Sequence, residues 1–114
     1  MMMRLPICWR ARLPARLKER KMYVIMAFDK PDSEALRLEN RNEHVAYVLA
    51  QDGVKTAGPF VSDDGATMIG TLLLLDVATH QEAQAFVDND PYHKAGLFDA
   101  VEIRRWNHLI GGLA

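Results

Sequence analysis

The side chains best suited to proton transfer in this sequence are its four histidines, at positions 44, 80, 93 and 108. Histidine exchanges protons near neutral pH, and a carboxylate bonded to one ring nitrogen fixes which nitrogen carries the proton. His80 follows a predicted helix cap and His108 follows the last predicted strand, which is typical of solvated side chains. His44 differs, because it lies three residues after Arg41 and therefore on the same face of a predicted helix.

His44 has two interpretations that the surrounding residues leave open. In the first, it belongs to a solvated polar helix face that holds Arg37, Asn40, Arg41 and His44. In the second, Asp90 holds one imidazole nitrogen, so that the two side chains form an acid/base pair. Asp90 has its own simpler interpretation, because aspartate before proline favours a turn.

Common cofactor and metal signatures are absent from the sequence. It contains no glycine-rich nucleotide motif, no HExxH run and no Cys–His cluster. The one cysteine, Cys8, lies before the predicted domain, so neither a disulfide nor thiol catalysis is available to that domain. This cysteine usage agrees with a reducing, cytoplasmic location. A site must therefore be sought among isolated polar residues, and the sequence gives no signature from which to expect a metal or a cofactor.

Charge divides the chain into two parts. Residues 1–21 carry seven basic side chains and one acidic, a balance of +6, while residues 22–114 carry seven basic and fourteen acidic, a balance of −7. An acidic domain repels phosphate backbones, so nucleic acid is not an expected partner.

The basic segment is Arg-rich and nearly free of acidic residues, which gives it a weak resemblance to a mitochondrial transit peptide. It lacks the apolar run of a secretory signal or a membrane span, and Pro6 and Pro14 interrupt the helix of a mitochondrial transit peptide. We expect residues 1–21 to be a leader, either disordered or produced by an over-extended start, with translation beginning at Met22. The domain is expected over residues 22–114.

Length and composition predict one globular unit. A chain of 114 residues, 49% hydrophobic and 25% charged, supports one core. Apolar runs and turn signals predict four strands and two helices. The predicted strands cover 22–28, 54–60, 68–77 and 98–106, and the predicted helices cover about 33–51 and 79–88.

Several local signals set the boundaries of these elements. Asp32 or Ser33 is the expected cap of the first helix, and the second extended stretch is expected to break at Gly58 and Pro59. Glu82 follows Thr79 at the spacing of a capping box, in which each side chain bonds the other's backbone N–H. The order β-α-β-β-α-β predicts a ferredoxin-like α+β fold, with two helices on one face of a four-stranded antiparallel sheet.

The first strand is apolar on both of its faces. Two helices cover only one face of such a sheet, and a large exposed apolar face is rare in a soluble monomer. We therefore expect a homodimer in which a second copy covers the other sheet face. The two apolar sets are Tyr23, Ile25 and Ala27, and Met22, Val24, Met26 and Phe28.

Residues 22–108 resemble the YciI-like family, also called YCII-related domains. The resemblance rests on short motifs in a fixed order, at residues 23–25, 41–44, 56–60, 90–92, 96–98 and 101–107. It implies a dimeric α/β-barrel built from ferredoxin-like subunits. The loop over residues 61–66 is shorter than the glycine-rich insertion that many relatives carry at this point.

The resemblance also implies a site. The family's histidine and aspartate motifs fall on His44 and Asp90, which implies a His–Asp acid/base centre. Some relatives act on chlorinated hydroxyquinols, and the wider superfamily includes lactone isomerases and monooxygenases, which implies a small aromatic or lactone-like substrate and a lyase, isomerase or hydrolase type of reaction. Arg41 is then a candidate to bind a substrate carboxylate or phenolate. The candidates to line the pocket are Gly58, Pro59 and Tyr92.

A second function class stays open. The same pocket in a non-catalytic dimeric protein would bind a small ligand without converting it. Changing His44 to alanine separates the two classes, because an enzyme loses turnover and keeps binding.

Overall fold

The computed structural model describes residues 21–112, and residues 1–20 of the expected leader lie outside this range. The observed elements follow the predicted order with one addition, the short helix α3, where only a turn was expected. They are β1 (Lys21–Asp29), α1 (Glu34–Leu49), β2 (Val54–Val61), β3 (Met68–Val77), α2 (His80–Asp88), α3 (Pro91–Lys94) and β4 (Phe98–Trp106).

The four strands form one antiparallel sheet in the order β2-β3-β1-β4. In the centre of the sheet, Ile25 pairs with Leu73 on β3 and with Ile103 on β4. Side chains from α1 and α2 pack on this same face, where Phe86 joins the three strand residues in the core. The ferredoxin-like α+β fold is therefore confirmed.

The sequence predicted a break in β2 at Gly58 and Pro59, and this prediction is wrong. The strand runs without interruption to Val61, with Pro59 opposite Thr71 of β3. Proline lacks a backbone N–H, but an edge strand has one side without a ladder partner and tolerates it. The register shifts instead at the two ends of the strand, between Val54 and Thr56 and between Phe60 and Val61.

The helix caps differ in detail from the prediction. Ser33 occupies the N-cap position of α1, but its hydroxyl donates to the Pro31 carbonyl oxygen and not to the helix end. At α2, the Thr79 hydroxyl accepts the Glu82 N–H, as expected. The Glu82 carboxylate accepts the N–H of Ala78, one residue before the predicted partner.

The side of helix α1 that faces the protein interior carries polar side chains. Its buried residues are Arg37 and His44, so the interpretation of these two as part of a solvated face is wrong. Two leucines of the same helix, Leu38 and Leu49, are by contrast 55% and 79% exposed. The guanidinium of Arg37 and the imidazole of His44 therefore lie inside the domain, next to the sheet.

On the sheet face opposite the helices, the side chains of β1 are apolar, and the charged pair Glu102 and Arg104 of β4 lies beside them. Phe28 stacks on Phe60 with ring centroids 5.4 Å apart, and Phe28 and Trp106 are each 38% exposed. Gly70 lies between the two phenylalanines, where a Cβ would come within 3.0 Å of Phe60 and 2.5 Å of the Ala27 carbonyl oxygen. Over residues 21–112, no helix is long and apolar enough to cross a membrane.

Candidate active site

The site begins with helix α3, which has only four residues and is held by a cap at each end. At its start, Asp90 Oδ1 accepts the backbone N–H of Tyr92 at 2.9 Å. At its end, Gly96 has a φ of 79°, and the Leu97 N–H donates to the Tyr92 carbonyl oxygen at 3.1 Å. This is a Schellman ending, for which glycine is favoured because it adopts positive φ without strain. The two caps fix Asp90 and Tyr92 relative to each other.

His44 and Asp90 are in direct contact, although 46 positions separate them in the sequence. The His44 Nδ1 atom lies 2.8 Å from Asp90 Oδ1, and both side chains are buried. An ionised carboxylate only accepts hydrogen bonds, so in the neutral imidazole Nδ1 carries the proton and Nε2 keeps a lone pair. Among residues 21–112, Nε2 has no hydrogen-bond partner. The His–Asp interpretation of the sequence is therefore confirmed as a geometric pair.

Tyr92 links this pair to a second buried cluster. Its ring stacks on the His44 imidazole, with centroids 3.9 Å apart and an interplanar angle of 14°. The Arg37 guanidinium carbon lies 4.7 Å from the centroid of the same tyrosine ring. An aromatic ring attracts a cation held over its face, so Arg37 contributes to fixing the position of Tyr92.

Arg37 is itself fixed by charge and hydrogen bonds. Its Nε donates to Asp29 Oδ2 at 2.7 Å, and its Nη2 donates to Asp29 Oδ1 at 3.1 Å. Nη2 also donates to the Thr71 hydroxyl at 2.7 Å. A planar guanidinium that meets both oxygens of one carboxylate has little freedom to move. The cluster therefore joins the end of β1, helix α1 and β3.

Sequence reasoning missed the roles of Arg37, Asp29 and Thr71 in this cluster. The one available signal was spacing, because Arg37 lies four residues before Arg41 and seven before His44, on one helical face. Nothing local marks Asp29 or Thr71 as its partners, since each is an ordinary residue of a strand.

A cleft of about 450 Å³ opens between α1 and β2. Its lining includes the basic side chains Arg37, Arg41 and Lys55, together with His44, and no aspartate or glutamate. The apolar part of the lining is Val45, Val48, Leu49, Val54, Ala57, Pro59 and Met68. A cleft with apolar walls and basic groups suits a small, flat molecule that carries negative charge.

The cleft gathers five of the six residues proposed from the sequence. His44, Arg41, Gly58, Pro59 and Tyr92 all line it. Asp90 does not, because it lies behind His44 and reaches the cleft only through the imidazole. Arg41 is exposed and makes no ion pair with any described residue, so its guanidinium is available to a ligand.

Burial shapes the acidity of Tyr92. Removal from water raises the pKa of its hydroxyl, and the nearby Arg37 and Arg41 guanidinium groups partly oppose this shift. The Asp90 and Asp29 carboxylates raise the pKa slightly further. Since the ordinary value is 10.0, the tyrosine keeps its proton at neutral pH and can act as a hydrogen-bond donor.

Nothing in the described range points to a metal centre. Residues 21–112 contain no group of three or more His, Cys, Asp or Glu side chains that could hold a metal ion. The polar side chains that line the cleft are the His44 imidazole, basic groups and hydroxyls.

Comparisons with known proteins identify a family and relatives of this chain. The family described as "YCII-related domain" matches residues 22–107. Protein YciI of Escherichia coli O6:H1 is 35% identical over 91 residues, which cover 73% of this chain and 93% of the relative.

This chain is also similar to solved structures. The 5-chloro-2-hydroxyhydroquinone dehydrochlorinase TftG from Burkholderia phenoliruptrix AC1100, in complex with 2,5-dihydroxybenzoquinone, is 33% identical with a TM-score of 0.71, over 76% of this chain and 94% of that one. A conserved protein from Methanosarcina mazei Go1 is 11% identical with a TM-score of 0.53, over 80% and 96% of the two chains. The second likeness extends to the fold alone.

Proposed function

Because this chain belongs to the YCII-related domain family, we propose that it is a small acid/base enzyme. The His44–Asp90 pair moves a proton on a small ring compound that bears hydroxyl groups, without a metal or a cofactor. The observation that carries this proposal is the 2.8 Å contact between His44 Nδ1 and Asp90 Oδ1, which leaves Nε2 without a partner among residues 21–112.

The two residues of the pair have different roles. Asp90 holds the imidazole in the tautomer whose Nε2 is unprotonated, so that Nε2 acts as the base. When Nε2 takes a proton, the ring becomes positively charged, and the adjacent carboxylate stabilises that charge. A positioned base of this kind contributes a factor of about 10²–10⁴ to the rate.

The cleft supports a substrate with a flat ring and acidic hydroxyls. Its apolar walls match a ring, and Arg41 and Lys55 attract a phenolate or carboxylate. A relative with 33% identity is named for removing HCl from 5-chloro-2-hydroxyhydroquinone. We extend this reaction class to the present chain.

Loss of HCl from a chlorinated trihydroxybenzene needs no oxidant. Two hydroxyl protons leave, one proton returns to the carbon that bears chlorine, and chloride departs with the electron pair of the C–Cl bond. The product is a hydroxyquinone, and the net change is one H⁺ and one Cl⁻ released. Each of these steps is a proton transfer or an elimination, which are within reach of a single positioned base.

The test is turnover of 5-chloro-2-hydroxyhydroquinone, followed by chloride release and quinone absorbance. We expect His44→Ala to lower turnover by about 10²–10⁴ while binding of 2,5-dihydroxybenzoquinone stays within a few-fold. The matched control is His108→Ala, which removes an exposed histidine outside the cleft. Binding without turnover in the unmodified protein would favour the non-catalytic alternative, a ligand-binding dimer.

We also infer that the protein forms a homodimer through the open face of the sheet. The support is the apolar surface on that face, which includes the Phe28–Phe60 stack and Trp106. Light scattering should give about twice the chain mass of 12.9 kDa. We expect Met26→Glu, a change on that face, to give monomers, whereas Leu38→Glu on the outer side of α1 leaves the dimer intact. A monomeric unmodified protein would contradict this inference.

A further inference from the structure

Tyr92 is an unusual part of the cleft wall, because it is almost completely buried and yet has a free polar atom. Its relative exposure is 1%. Its backbone N–H bonds Asp90 and its carbonyl oxygen accepts from Leu97, so the main chain is satisfied. Its hydroxyl, in contrast, has no hydrogen-bond partner among residues 21–112. A buried hydroxyl without a partner costs free energy, and native structures rarely leave one unless a ligand or water pairs with it.

Tyr47 provides a comparison within the same molecule. It lies on α1 one turn after His44, and its hydroxyl donates to the Phe86 carbonyl oxygen at 2.8 Å. Tyr47 does not line the cleft between α1 and β2, whereas Tyr92 does. The tyrosine with a paired hydroxyl is therefore outside the cleft, and the tyrosine with an unpaired hydroxyl forms part of its wall.

The position of the Tyr92 ring is fixed independently of any ligand. The His44 imidazole stacks on it at 3.9 Å, and the Arg37 guanidinium lies 4.7 Å from its centroid. The charges of Arg37 and Arg41, which both line the cleft, act on its hydroxyl. Burial raises the pKa of this hydroxyl and so favours its protonated form, which is a hydrogen-bond donor.

We propose that the Tyr92 hydroxyl donates a hydrogen bond to an oxygen atom of the bound ligand, beside the oxygen whose proton is taken by His44. Arg37 is the positioning residue that holds the tyrosine ring for this contact. The proposal rests on the proposed function, because it adds a second group to the same site. The two contacts together favour ligands with two oxygen atoms close together. One is a hydroxyl that gives its proton to His44, and the other is a carbonyl or phenolate oxygen that accepts from Tyr92.

The test measures binding of 2,5-dihydroxybenzoquinone to the full chain by calorimetry. We expect Tyr92→Phe to weaken binding by about 10- to 100-fold, the usual range for a hydrogen bond to a charged oxygen. Tyr47→Phe is the matched control and should bind within about twofold of the unmodified protein. Thermal melting without ligand gives an independent readout, in which Tyr47→Phe lowers the melting temperature and Tyr92→Phe does not.

Each other outcome has a separate meaning. Equal binding by Tyr92→Phe and the unmodified protein would overturn the hydroxyl contact and leave the proposed function standing. A fall in melting temperature for Tyr92→Phe as large as for Tyr47→Phe would show that the hydroxyl already has a partner within the protein, and would also overturn it. Failure of the unmodified protein to bind would overturn the proposed function together with the ligand contact that depends on it.

Discussion

Helix α1 buries two side chains, and each meets a carboxylate from a different part of the fold. Arg37 donates two hydrogen bonds to Asp29 at the end of β1, whereas His44 shares one with Asp90 at the start of α3. The first pair is bidentate and carries permanent charge. The second uses only one imidazole nitrogen. The two pairs lie on the same helix face, but only the second includes a side chain that can exchange a proton.

The difference lies in what each pair leaves available. A guanidinium keeps its proton under all ordinary conditions, so the Arg37–Asp29 pair can fix structure but cannot exchange protons. An imidazole can change its protonation near neutral pH. His44 lines the cleft, and its Nε2 has no partner among residues 21–112. Tyr92 contacts both side chains, which makes the structural pair a support for the reactive one.

The largest effect on stability should come from breaking the structural pair. Arg37→Met leaves the Asp29 carboxylate buried without its partner, and we expect a loss of about 3–5 kcal/mol in the free energy of unfolding. Arg41→Met removes an exposed guanidinium from the same helix and should change it by about 0.5 kcal/mol or less. Urea denaturation of both variants measures the contrast. If both variants lost the same free energy of unfolding, the buried Arg37–Asp29 pair would contribute no more to stability than an exposed guanidinium.

Changes to the His44–Asp90 pair should lower the free energy of unfolding by less. Two variants of Asp90 separate the effect of its charge from that of its hydrogen bonds. In Asp90→Asn, the amide Oδ1 can still accept from both His44 and the Tyr92 N–H, so we expect a loss below about 1 kcal/mol. Asp90→Ala removes the helix cap as well and should cost about 2–3 kcal/mol. Both variants should lose turnover, because both lack the charge that stabilises the imidazolium. Full turnover in Asp90→Asn would show that the negative charge is not needed.

The smallest effect concerns alkaline pH. Burial raises the pKa of Tyr92 and of Tyr47 above the ordinary 10.0. The unfolded chain therefore ionises these tyrosines first, so their stabilising contribution is present below pH 10 and decreases as the pH rises toward the folded values. Urea denaturation at about pH 9 and about pH 11 should show this decrease. It should be smaller in the double variant Tyr47→Phe/Tyr92→Phe, and an identical decrease would contradict the assignment.

Much of the fold could be predicted because its signals are local. The apolar run of β3 gave both ends of the strand, Met68 and Val77, and Thr79 marked the start of α2. Helix α3 was missed because four residues are too few to show helical periodicity. Its evidence lies in its ends, where Asp90 caps one end and Gly96 follows the other.

The site was predictable only in part, for a physical reason. Family motifs located His44 and Asp90, since their residue types recur in a fixed order. The burial of Arg37 could not be read from the helix, because its stability depends on Asp29 and Thr71 in two distant strands. The exposed Leu38 shows the same limit, since periodicity locates a helix but does not decide which side faces the protein.

The central claim is that Asp90 holds His44 in the tautomer with the proton on Nδ1, which leaves Nε2 as the base. Nitrogen-15 NMR of the histidine rings, at a pH where imidazoles are neutral, reports this tautomer directly, and His44→Gln assigns the signal. We predict the Nδ1–H form in the unmodified protein and a shift toward Nε2–H in Asp90→Ala. An Nε2–H tautomer in the unmodified protein would contradict the account, because the nitrogen at the cleft would then have no lone pair to accept a proton.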